Sequence, residues 1–390
     1  MLTFNSNNKK NRKLKRISLF TNKPSSNLHS KILYNGQLVY NFSSNDYLGL
    51  SKNPKLIKES ISWTEKFGTS LSSSRLVSGN LDLIEQIENK IKSFYQSEMC
   101  LIFGSGYQLN ISVIPSIFGN FSRSSDECII FSDKLNHASI NIGCKISGFK
   151  TVRYNHLDMN HLEHFLLKFR NIKNKLIISE SVFSMDGDII DLESLRNLAE
   201  KFNCYLYIDE AHATGILGKS GYGITELESK KNKKEISIGT FSKAFGSYGS
   251  YICCSTEIAK NLINYCSGFI YTTALPPNVL GSISKAVEIM PELSCDRKEL
   301  LENSNFFRKK LNQLGYDTLD SKTNIIPMIN SKKTDYKKIS NVLLKKGFFT
   351  SAIMTPTVPY GKERIRLTVT SHINKKIILN FLEALHSFEK

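Results

Sequence analysis

Polar and reactive side chains gather where short apolar runs end. Met99 to Phe103 runs into Gly104-Ser105-Gly106-Tyr107, and Cys128 to Phe131 is soon followed by Asn136-His137. Lys175 to Ser179 ends at Glu180, Cys204 to Ile208 at Asp209-Glu210-Ala211-His212, and Ile236 to Gly239 at Thr240-Phe241-Ser242-Lys243. In open α/β sheets ligands bind outside the carboxyl ends of the strands, so independent runs ending this way suggest one shared site. Asp209 closes an apolar run, and its carboxylate needs a cationic partner. A protonated pyridine nitrogen would serve; a helix N-cap or a buried ion pair is the structural alternative. His212 is placed to reach the phenolic oxygen of the same ligand, or is a satisfied core histidine. Lys243 lies among turn-forming residues that suit a surface lysine. Desolvated, it would lose its proton readily and form a Schiff base with an aldehyde, with the hydroxyls of Thr240 and Ser242 available to a phosphate. Gly104-Ser105-Gly106 would present backbone N–H groups to that phosphate, or is an ordinary glycine turn.

Something must position these groups. The runs are β-branched or aromatic and apolar enough to be buried on both faces, and Ser250 to Cys253 is a further one. They alternate with helix-period segments, the pattern of an α/β fold with a mostly parallel sheet. Asp191 to Phe202 carries Leu192, Leu195, Leu198 and Ala199 at helical spacing behind an acidic start. Leu81 to Tyr95 repeats the pattern, with Asn80 as a candidate cap. Beyond Pro291 the character changes to helix-like Arg297 to Leu314, then the segment Asn324 to Ile329, a helix near Tyr336 to Lys346 and a strand at Arg364 to Val369. The expected organisation is an N-terminal arm over 1–40, a large domain over 41–285 and a small α+β domain over 286–390.

Composition sets the class. Hydrophobic residues make up 41% and charged residues 22%, as in a soluble globular protein, and no apolar run approaches a membrane span. The formal charge of +17 suits an anionic partner, but no helix-turn-helix, zinc-finger or RNA-binding signature accompanies it, so no nucleic acid is expected. Much of the excess lies in runs at Asn8 to Arg16 and Lys230 to Lys234, which read as solvated faces. The eight cysteines form no C-x-x-C pair, so reduced core thiols, a cytoplasmic setting and no metal site are expected. No acidic residue precedes Asp46, which suggests a transit peptide on composition alone.

Taken together, the motifs resemble the α-oxoamine synthases of the fold-type I pyridoxal-phosphate (PLP) enzymes over nearly the whole chain. The resemblance is carried by Asn41-Phe42-Ser43-Ser44-Asn45-Asp46-Tyr47-Leu48-Gly49-Leu50, Ser74-Arg75-Leu76-Val77-Ser78-Gly79 and Leu135-Asn136-His137-Ala138-Ser139. Glu180-Ser181-Val182-Phe183-Ser184-Met185-Asp186-Gly187-Asp188, Asp209-Glu210-Ala211-His212 and Thr240-Phe241-Ser242-Lys243-Ala244-Phe245-Gly246 continue it. Tyr271-Thr272-Thr273-Ala274-Leu275-Pro276-Pro277 completes the set. Pro356-Thr357-Val358-Pro359, followed by Arg364-Ile365-Arg366-Leu367-Thr368, looks most like the members that join L-alanine to a pimeloyl thioester of coenzyme A or acyl carrier protein in biotin biosynthesis. Sister members that use glycine or serine are the alternative.

The resemblance implies that Lys243 carries the PLP, that Asp209 pairs with its ring nitrogen, that His137 stacks on the ring and that His212 contacts the phenolic oxygen. Gly106, Tyr107, Ser184 and Thr240 would surround phosphate and ring. Thr273 would reach the cofactor of a neighbouring subunit, which implies a homodimer with shared sites. Asn45 and Arg366 match substrate-binding positions, Arg366 being suited to a bidentate carboxylate contact, and Arg16 in the arm is a further candidate. The distance to Asn45 is about that of the family's arm, so an ordinary arm is expected rather than a transit peptide. One departure stands out: Thr69-Ser70-Leu71-Ser72-Ser73-Ser74 occupies the place of a glycine-rich segment, and serine limits positive φ.

Overall fold

The apolar runs form the middle of one seven-stranded sheet. The computed structural model describes residues 17–18, 30–118, 127–226, 232–330, 334–355 and 357–389. Arg16 and Pro356 lie outside the described residues. The central strands are β1 (Met99–Phe103), β2 (Cys128–Asp133), β3 (Lys150–Tyr154), β4 (Asn174–Glu180), β5 (Tyr205–Asp209), β6 (Glu235–Thr240) and β7 (Ser250–Cys254), in the order β1-β7-β6-β5-β4-β2-β3. Only β7 runs antiparallel to its neighbours; every other pairing is parallel. The sequence reading missed β3. It is an edge strand with only Tyr154 buried, so it lacks the continuous apolar character of its neighbours.

Successive residues of each strand serve opposite faces. Ile130, Leu176, Ile178, Ile236 and Ile252 build the apolar cluster on one side, and Ile129, Phe131, Ile177, Leu206 and Ile208 build the other. Helix Leu192–Lys201 covers the second face and starts at Asp191, whose side chain accepts from the Ser194 N–H at 3.0 Å. Helix Asp82–Tyr95 also forms, but Asn80 does not cap it. Asn80 instead accepts from Arg75 Nε at 2.8 Å and donates to Glu85 at 2.8 Å, fixing the loop that enters the helix.

The C-terminal region builds an antiparallel four-stranded sheet in which β8 (Ile325–Asn330) and β9 (Arg364–Thr368) are the inner pair. Helices Ser294–Gln313 and Lys375–Glu389 contribute to its core. An early segment joins this region: Gln37–Asn41 pairs in parallel with Phe348–Phe349, and Phe42 packs against Phe381 with ring centroids 4.8 Å apart. All eight cysteines are free thiols, and all but Cys295 are buried. Among the described residues no helix is long and apolar enough to cross a membrane.

Candidate active site

Sheet register brings the strand ends into line. Phe103 of β1 is opposite Ser250 of β7, which is opposite Thr240 of β6, so the turns beginning at Gly104 and Phe241 leave the same edge. Glu180 of β4 pairs with Asp209 of β5, and that pairs with Ile238. The last residues of adjacent strands therefore face a common rim. At that rim the backbone leaves the sheet ladder and side chains take over its hydrogen bonds.

Asp209 is 6% exposed. Its Oδ1 accepts from the Ala211 N–H at 2.9 Å and its Oδ2 from Asn110 Nδ2 at 3.0 Å. Asn110 is itself held by Tyr207, whose hydroxyl donates to Oδ1 at 2.6 Å, and it donates to Ser139 at 2.9 Å. Lys243 is partly buried, and among the described residues it has no hydrogen-bond or ion-pair partner. Desolvation lowers its pKa to about 8, against the opposing pull of Asp209 and Glu180 and with help from the nearby Arg366 guanidinium. Glu180 is buried and accepts from the His137 backbone N–H at 2.5 Å; burial and the charge of Asp209 raise its pKa well above the usual carboxylate range.

His137 opens helix α1 (Ala138–Ser147), with Nδ1 2.7 Å from Ser139 Oγ. Desolvation and the charge of Lys243 lower its pKa, and Asp209 opposes them. His212 is buried with Nδ1 2.6 Å from the Tyr47 hydroxyl. Burial, Lys243, Arg366 and His137 push its pKa well below that of a free imidazole. Arg366 arrives from β9, on the C-terminal sheet, and is 8% exposed. Its Nε donates to the Ser184 carbonyl at 2.6 Å and its Nη1 to Thr368 Oγ1 at 3.0 Å. The structure thus brings Lys243, Asp209, His137, His212, Ser184 and Arg366 together, with Asn45 reached through Tyr47 at 3.4 Å.

Ser105 caps the helix Gly106–Ser116, accepting from the Gln108 N–H at 3.2 Å. A Cβ built on Gly106 meets nothing within 4 Å, so the N-terminal turn faces open space beside the half-exposed Tyr107. Thr240 is buried, with Oγ1 2.8 Å from Ser242 Oγ. Thr273 stands apart: it is exposed and bridges Ser74 in the serine-rich loop. In that loop Ser72 takes φ 52° despite its side chain.

This donor set fits PLP. A buried carboxylate with two neutral donors keeps lone pairs for a cationic ring nitrogen, an unpaired amine of lowered pKa faces it, and an open helix N-terminus suits a phosphate. Sequence reasoning missed Asn110 and Tyr207, which orient Asp209. The signal for Asn110 was an amide set among the apolar residues Leu109, Ile111, Val113 and Ile114. It also missed the buried ion pair of Arg364 with Asp186, two residues from Arg366 and Ser184 on their respective segments. A second polar group lies along the same edge, where His156 bridges Asp133 at 3.0 Å and Asp188 at 2.7 Å. The ligand atoms of His156, Asp186 and Asp188 fall within 4.8 Å of one another, but His156 and Arg364 neutralise these carboxylates from within.

The profile of the aminotransferase class I and II family matches residues 38–385. The chain is 39% identical over 352 residues to a protein named 8-amino-7-oxononanoate synthase from Gluconacetobacter diazotrophicus, covering 90% of this chain and 88% of that one. Among solved structures, the 8-amino-7-oxononanoate synthase of Francisella tularensis superposes with a TM-score of 0.77 at 26% identity, covering 90% and 98% of the two chains. A serine palmitoyltransferase of Sphingomonas wittichii gives a TM-score of 0.85 at 25% identity, covering 92% and 89%.

Proposed function

Because the chain belongs to the aminotransferase class I and II family, and within it to the PLP-dependent α-oxoamine synthases, we propose that it joins L-alanine to a pimeloyl thioester in biotin biosynthesis. The products are 8-amino-7-oxononanoate, carbon dioxide and the free thiol of coenzyme A or acyl carrier protein. When bound, PLP supplies an aldehyde for the amino acid's amine and a ring that spreads the charge left at Cα. The observation that carries the reading is the meeting of Lys243, Asp209 and His212 with Arg366, which comes from a different sheet.

Lys243 would hold the cofactor and would offer Nζ as the base for the Cα proton; a pKa of about 8 suits a base working near neutrality. Asp209 keeps a proton on the ring nitrogen through its opposite charge. His137 would pack against the ring and His212 would meet the phenolic oxygen, while Gly106, Tyr107, Ser184 and Thr240 would surround phosphate and ring. Arg366 uses its remaining N–H groups for the substrate carboxylate, with Asn45 beside it. Thr273, exposed in a single chain, would reach the phosphate held by the partner in a homodimer.

The test is direct: purified protein with PLP is mixed with alanine, glycine or serine and with pimeloyl-coenzyme A or pimeloyl carrier protein, and the product is identified by mass. The alanine adduct supports the proposal. A product formed only with serine or glycine would move the chain to the sister activity that the likeness to serine palmitoyltransferase favours.

A further inference from the structure

Tyr47 has no role in the reaction as derived above, yet it occupies the centre of the polar cluster. It is wholly buried, its hydroxyl lies 2.6 Å from His212 Nδ1 and 3.4 Å from Asn45 Oδ1, and the Arg366 guanidinium is close enough to act on it electrostatically. Its backbone is fixed on both sides: its N–H donates to the Asn45 carbonyl at 2.9 Å, and its carbonyl accepts from the Ser371 N–H at 2.8 Å. A tyrosine hydroxyl has one proton to give. Burial raises its pKa, so the proton stays on the oxygen. Arg366 has donors only and cannot take that proton. The proton must go to an acceptor, and 2.6 Å to Nδ1 is a full hydrogen-bond distance whereas 3.4 Å to Asn45 is not.

His212 cannot answer by becoming charged, because burial and the positive groups Lys243, Arg366 and His137 all oppose its protonation. A neutral imidazole carries one N–H, and if Nδ1 accepts, the proton sits on Nε2. We propose that Tyr47 is a positioning residue that fixes His212 as the Nε2–H tautomer, so that His212 meets the phenolic oxygen of PLP as a hydrogen-bond donor. This deepens the PLP reading and rests on it for the identity of the acceptor. With the proton on Nδ1, the Nε2 lone pair would face an oxygen that carries negative charge and repel it. Tyr47 would thus settle a protonation choice in the site without touching cofactor or substrate.

The test uses the full-length chain with 15N-labelled histidine, its His212 signals identified by their loss in His212→Gln. Before PLP is added, His212 is expected to show an unprotonated Nδ1 and a protonated Nε2, and Tyr47→Phe is expected to populate both tautomers. After PLP is added, the pH midpoint of the visible absorption band is expected to rise by about one unit in Tyr47→Phe, since one donor to a charged oxygen is lost. Wild-type His212 protonated on Nδ1 would overturn the proposal, and that measurement needs no Tyr47 variant to fold. An unmoved midpoint in a well-folded Tyr47→Phe protein would overturn it as well. A chain that shows the Nε2–H tautomer yet takes up no PLP would sink the cofactor reading and leave the tyrosine–histidine bond standing.

Discussion

Two clusters of ionisable side chains lie along one edge of the sheet, built from similar residues and holding charge in opposite ways. Around His156, burial works against the charged form, but the carboxylates of Asp133 and Asp188 in direct contact win and push the pKa to about 10. Among the described residues no carboxylate hydrogen-bonds to His212: Tyr47 occupies Nδ1, and burial together with the surrounding positive groups drops the pKa well below the usual value. Asp209, at the centre of this second cluster, spends its near contacts on Asn110 and Ala211. A charge-balanced cluster holds loops together. An unsaturated one, with Lys243 unpaired beside Asp209, has capacity left for a ligand.

Substitutions can separate these two kinds of cluster. Lys243→Ala should have the largest effect, with turnover falling by about 10^4-fold or more and the protein colourless in the presence of PLP, read by product formation and absorbance. Asp209→Asn keeps the shape but removes the charge, and should lower turnover by about 10^2- to 10^3-fold with little change in thermal stability. His156→Gln should do the reverse, costing about 3 kcal/mol in urea unfolding, because it leaves buried carboxylates unpaired. A turnover loss from His156→Gln as deep as that from Asp209→Asn would dissolve the distinction.

The pH dependence has opposite signs at the two histidines. His156 is raised when folded, so its contribution is complete below about 6.5 and is lost as pH climbs toward about 10. The stability gap between wild type and His156→Gln should therefore narrow over that window. His212 is depressed when folded, so its contribution is present above about 6.5 and is lost on acidification. His212→Gln should flatten the acid side of the wild-type stability curve. Lys243 gives a kinetic counterpart: PLP uptake by the cofactor-free chain needs the neutral amine, so its rate should rise with pH and level off above about 8. The smallest expected effect lies outside both clusters, where Ser72→Gly should relieve about 1 kcal/mol of left-handed strain.

The central strands and the motifs at their ends were legible because fully buried strands must be apolar, so a polar residue that closes one is conspicuous. Asp209, His212 and Lys243 declared themselves in this way. Edge strand β3 did not, since the sequence KTVRY faces solvent over most of its length. Asn80 was misread because a polar residue before a helix also has the option of pairing with an arginine. The supports of the cluster were hidden for another reason. Asn110 and Asp209 are 99 residues apart, and Arg364 and Asp186 are 178 apart, separations at which spacing carries no information about contact. Ser72 shows the limit of a composition argument, because the chain accepts there the backbone that glycine would have taken more easily.

The parallel pairing of Gln37–Asn41 with Phe348–Phe349 has a consequence for how the protein is made. At about 5–20 residues per second, a ribosome completes the partner on the order of tens of seconds after the early segment has been synthesised. During that interval Gln37–Asn41 presents an open strand edge, and Arg366 has yet to join Tyr47 and His212 in the site. A message cut short before codon 348 would leave the edge permanently open, a template for aggregation rather than a weaker enzyme.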